Sequence, residues 1–148
     1  MLILSSVRMH RAITRRAIEE AQSSAKDLVV LSVLDRAIPA KVAEQFAESG
    51  QIGARPSEGF LDSLYQRHEQ LALEQAEEVA AEARRQGLGA VSDVRRGDYA
   101  TETATAITEQ RPEVVVIEKR KRSLLRFATE DPFIDELRTE VGFTLIEA

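Results

Sequence analysis

The run Asp27-Leu28-Val29-Val30-Leu31-Ser32-Val33-Leu34 is apolar at nearly every position. A strand with one wet face alternates apolar and polar residues, whereas a run without alternation belongs to a strand covered on both faces. A second short apolar run, Leu2 to Val7, lies upstream. Between the two, Ile13, Ala17, Ile18, Ala21 and Ala25 recur at helical spacing and leave Arg15, Arg16, Glu19 and Glu20 on the other face, the pattern of an amphipathic crossover helix. This order predicts a largely parallel sheet with both runs near its centre and helices packed on its faces.

The alternation continues downstream. Residues 36–59 are the least regular part, with breaks at Gly50, Gly53, Pro56 and Gly59, and read as an insertion. Phe60 to Gln86 is helical in pattern throughout, with Leu61, Leu64, Leu71, Val79 and Ala83 on one side, a helix of roughly 40 Å. His68 falls on that apolar stripe and reads as a partly buried packing residue rather than a catalytic base. Gly87 and Gly89 end the helix, and Ala90 to Arg96 alternates like a half-exposed strand near a sheet edge. Asp98 is placed to cap a helix running to about Gln110, which Pro112 closes. Glu113 to Ile117 gives a fourth strand, 131–140 a final helix, and Phe143 to Glu147 a fifth strand.

Composition narrows the chemistry. The chain has 148 residues and no cysteine, so disulfides, zinc–thiolate sites and thiol nucleophiles are excluded, and the whole of 1–148 is expected to form one domain. A net charge of −5 with 30% charged residues argues against a broad nucleic-acid contact. No basic region precedes the first apolar run, and no apolar stretch approaches the roughly 20 residues that span a bilayer. The expectation is a soluble, cytoplasmic protein with no membrane partner.

Four segments, in this order and with these separations, resemble the universal stress protein family over essentially the whole chain. They are Arg15-Arg16-Ala17-Ile18-Glu19-Glu20-Ala21, Leu31-Ser32-Val33-Leu34-Asp35, Val94-Arg95-Arg96-Gly97-Asp98 and Pro112-Glu113-Val114-Val115-Val116-Ile117. The resemblance implies a three-layer α/β domain with a five-stranded parallel sheet ordered 3-2-1-4-5. It also implies a homodimer paired through the last strand, here Phe143, Thr144, Leu145 and Ile146. An apolar strand ending the sheet supports that independently, because an unpaired apolar edge is a liability unless something covers it.

ATP-binding members of that family carry Gly-x-x-Gly, nine residues, then Gly-Ser or Gly-Thr after the fourth strand. Aligned on Val114 to Ile117 and on Phe133 to Ile146, this chain has Glu118, Lys121, Asp131 and Pro132 at those positions. Glycines let backbone N–H groups approach phosphate, and side chains at 118 and 121 obstruct this. Asp131 would cap the following helix and repel an anion there, and Pro132 removes an N–H donor. The aspartate expected after the first strand is also missing, since the turn reads Ser6-Val7-Arg8-Met9-His10. The chain is therefore expected not to bind ATP and to need no cofactor and no metal. Ser6, Arg8, His10, Asp35 and Gly97 would line whatever pocket remains.

Two other readings stay open. Lys119, Arg120, Lys121, Arg122 and Arg126 cluster in one loop and could hold an anionic metabolite or an acidic partner as a switch, although Glu118, Glu130 and Asp131 offset much of that field. A small hydrolase or transferase would need His10, a serine and a carboxylate to converge, and no Gly-x-Ser-x-Gly elbow, Gly-x-Gly-x-x-Gly run or nucleotidyl-transfer motif is present. The leading expectation is a non-enzymatic regulatory or interaction protein of stress response.

Overall fold

Leu2, Ile3 and Leu4 are almost entirely removed from solvent, which requires a strand flanked by strands and covered above and below. The computed structural model describes residues 1–4, 11–35, 58–117, 136, 137, 139 and 142–147. These form β1 (Leu2–Leu4), α1 (Arg11–Ser24), β2 (Leu28–Leu34), α2 (Glu58–Arg85), β3 (Ala90–Arg96), α3 (Tyr99–Gln110), β4 (Val114–Ile117) and β5 (Thr144–Glu147). Glu136, Leu137 and Thr139 are also helical. The sheet runs β3-β2-β1-β4-β5, and every neighbouring pair is parallel, with Leu2 opposite both Val30 and Val116. The expected fold class and strand order are those found.

Side chains alternate across a strand, so one sequence builds two cores. Leu2, Leu4, Leu28, Val30 and Val116 pack under Ile13, Ala17, Ile18 and Ala21 of α1 and Ala76, Val79, Ala80 and Ala83 of α2. On the other face Met1, Ile3, Leu31, Val33, Val115 and Ile117 meet Ala106 and Ile107 of α3 and Leu137. The result is three layers. No helix among the described residues is long and apolar enough to cross a membrane.

Element ends follow local chemistry. Asp98 caps α3 by accepting from the Thr101 N–H at 2.9 Å and its hydroxyl at 2.8 Å, as its position suggested. Those donors hold its carboxyl below the usual range. Arg111, at φ 44°, closes the helix by donating its N–H to the Ile107 carbonyl. Ala25, expected on the apolar stripe of α1, is instead exposed at φ 50° and turns the chain out of the helix.

One boundary and one face of α2 differ from the sequence reading. α2 starts at Glu58 rather than Phe60, so Glu58 and Gly59 belong to it and not to the irregular segment. Its buried face is Ala72, Ala76, Val79, Ala80 and Ala83, while Leu61, Leu64 and Leu71 are only half-buried. The small residues let α2 lie close on β2 and β3, and the leucines sit toward the end that outruns the sheet.

β3 is the edge strand its alternation predicted, and charged side chains tie it to a helix on each face. Ser92 donates to Glu77 at 2.8 Å while Glu77 also pairs with Arg84, and Arg96 pairs with Glu69, all on the α2 side. On the α3 side Arg95, only 16% exposed, bridges Asp93 at 3.0 Å and Glu109 at 2.6 Å.

Candidate functional site

In an open parallel sheet the ligand crevice lies outside the carboxyl ends of the strands, where the chain switches direction through the sheet. Here β1 leads to β2 on one side, whereas β4 pairs on the other side of β1, which places the switch at the ends of Leu4 and Ile117. The segments leaving those two ends hold Ser6, Arg8, His10, Glu118, Lys119, Arg120, Lys121, Arg122, Arg126, Asp131 and Pro132, which lie outside the described residues.

The β2–β3 side of the crevice is described. Asp35 leaves the end of β2 and is half-buried. Gly97 follows β3 and donates its N–H to the Leu34 carbonyl at 3.1 Å, which holds the β3 end against β2. A Cβ on Gly97 would sit 2.7 Å from the Glu102 carboxylate, so this position keeps the turn into α3 tight. The two expected pocket residues on this side are thus brought to one edge.

α2 contributes to the same edge because it is longer than the strands beneath it. It has 28 residues, roughly 42 Å at 1.5 Å each, and the Glu69–Arg96 pair sets its register against the end of β3. Residues 58–68 therefore run about 16 Å beyond the strand ends. His68 lies on this overhang with its Nε2 buried and without a hydrogen-bond partner. Burial pushes its pKa below the ordinary imidazole value, and the Asp35 carboxylate partly restores it. The sequence reading foresaw a partly buried His68 but not the influence of the Asp35 charge on it, since nothing in the spacing of the two residues signals it.

Among the described residues, those at the strand ends lean acidic. Asp35, Asp98, Glu102 and Glu147 stand at or just beyond strand ends, and Arg96 is occupied by Glu69, while Arg11 opens α1. A neutral imidazole can donate one hydrogen bond and accept one. Neither it nor a carboxylate is a phosphate anchor.

The strand order and the helices on both faces define a doubly wound α/β protein with its crevice at the strand switch. No family model matches the chain, and no curated protein matches it. Solved structures do. The universal stress protein UspA of Lactobacillus plantarum aligns with a TM-score of 0.65 at 11% identity over 99% of this chain and 94% of that one. A universal stress protein family member of Burkholderia pseudomallei gives 0.63 at 12% over 99% and 93%. The universal stress protein of Archaeoglobus fulgidus in complex with dAMP gives 0.58 at 13% over 99% and 94%. This chain has the universal stress protein fold.

Proposed function

We propose that this chain is a regulatory protein of the universal stress protein type that acts in the cytoplasm through protein contacts, as a homodimer paired along β5, and neither binds ATP nor turns over a substrate. The observation that carries the reading is the mismatch between fold and site. The chain shares its fold with a universal stress protein solved in complex with dAMP, yet Glu118, Lys121, Asp131 and Pro132 align with the glycine motif of the nucleotide-binding members. The carboxylates of the β2–β3 side support the same direction, because each raises the cost of bringing phosphate to that edge.

Calorimetric titration of magnesium-ATP, ADP and AMP into nucleotide-stripped protein tests this. The expected outcome is no heat of binding up to millimolar nucleotide. Micromolar binding would overturn it and assign the role to a nucleotide switch, with the basic side chains of residues 119–126 replacing the glycines.

A further inference from the structure

The sheet has a second edge, along β3, on the side away from β5. The Leu28 N–H donates to the Gly89 carbonyl and the Gly97 N–H to the Leu34 carbonyl. In a parallel ladder this phase turns the main-chain groups of residues 89, 91, 93, 95 and 97 toward β2, and those of Ala90, Ser92, Val94 and Arg96 outward. The Ala90 carbonyl is already taken, accepting from the Arg84 guanidinium at 2.9 Å. That leaves Ser92, Val94 and Arg96 as the stretch of edge whose main-chain groups face outward beyond this cap.

We propose that β3 pairs antiparallel with β3 of a second copy, on a two-fold axis through Val94. The charges along the strand select this register. An axis at Asp93 sets Asp93 opposite its own copy, and an axis at Arg95 sets Arg95 opposite its own copy, both repulsive. An axis at Ser92 engages the capped Ala90. Only the axis at Val94 uses Ser92, Val94 and Arg96 together, and it sets Asp93 of each copy opposite Arg95 of the other. The new pairs extend the Asp93–Arg95–Glu109 network already present in each chain. Val91, 58% exposed, then faces Gly97 of the second copy and meets no side chain.

The helices allow it. α2 lies over both β2 and β3, so joining two edges at the usual strand spacing leaves the two α2 helices about 10 Å apart, within ordinary helix packing. Together with pairing along β5 this second isologous contact would produce open chains of molecules rather than a closed dimer.

The test exploits a chain without cysteine. Across a hydrogen-bonded antiparallel pair the α-carbons are about 5.5 Å apart, within disulfide reach. Val94→Cys should therefore cross-link to its own copy under mild oxidation, whereas Ser92→Cys, about 14 Å from its counterpart, should not. Asp93→Lys added to Val94→Cys should suppress the cross-link about tenfold or more. An uncross-linked, folded Val94→Cys protein at about 100 μM, or equal cross-linking at 92, overturns the pairing. If Val94→Cys does not fold, sedimentation velocity of the unaltered chain against Asp93→Lys decides. Association that Asp93→Lys weakens supports the proposal, and identical profiles refute it. Neither readout depends on whether β5 forms a contact.

Discussion

His68 and Asp35 are distant in sequence, and the Asp35 charge acts on His68 only because α2 outruns the sheet and passes the end of β2. Burial keeps the imidazole neutral near pH 7, so the folded state holds fewer protons here than the unfolded chain does below pH about 6.5. Stability then falls as pH drops through that value and flattens once the folded-state histidine also titrates. The expected result is a urea midpoint that declines between about pH 7 and 5.5, with His68→Gln removing part of the decline. An unchanged slope in the variant would show that other groups carry it. Asp98 belongs to the same scale but was legible in advance, because a cap needs only a side-chain oxygen beside the first turn and both are local.

Among the elements, α2 shows how a correct helix can carry a misjudged face. Val79 and Ala83 are buried as expected, but the leucines at 61, 64 and 71 that were to share their stripe are not, and Ala72, Ala76 and Ala80 take that place. Depth is set by how closely a helix lies on its sheet, and small side chains permit the closest approach. Ala76→Leu is expected to overpack this contact and cost about 1–3 kcal/mol of stability in chemical denaturation, whereas Leu73→Ala, at an exposed position, is expected to cost almost nothing. β3 makes the complementary point. Its alternation announced an edge, but Arg95 reaches Glu109 and Arg96 reaches Glu69 across 14 and 27 residues, which no local pattern encodes.

At the scale of the whole molecule, the sheet ends on β5, whose side chains are less free than its sequence suggested. Phe143 and Leu145 pack toward the α3-side core and Ile146 toward the α1–α2 side. Thr144 donates its N–H to the Glu113 carbonyl at 2.8 Å, so the same phase argument turns Leu145 and Glu147 outward along the main chain. The proposed β5 contact is therefore a backbone pairing with half-buried apolar flanks. Light scattering at about 10 μM is expected to give at least a dimer, and Leu145→Pro, which removes an outward N–H, to weaken it. A monomer at that concentration would remove the β5 contact.

The succession of strands and helices along the chain, the parallel sheet and the cap on α3 were determined by the sequence alone, because each rests on periodicity or on neighbours within a turn, whereas the order of strands across the sheet was implied only by the family resemblance. The unbroken run from Leu28 to Leu34 sufficed to demand a sheet covered on both faces. Only the tertiary structure decided which face of α2 is buried, which carboxylates hold Arg95 and Arg96, that the Asp35 charge reaches His68, and which β3 main-chain groups face outward. Each of these depends on the register between elements. Register is set by packing across the whole sheet, a sum of many small contacts that leaves no local trace in the residues it brings together.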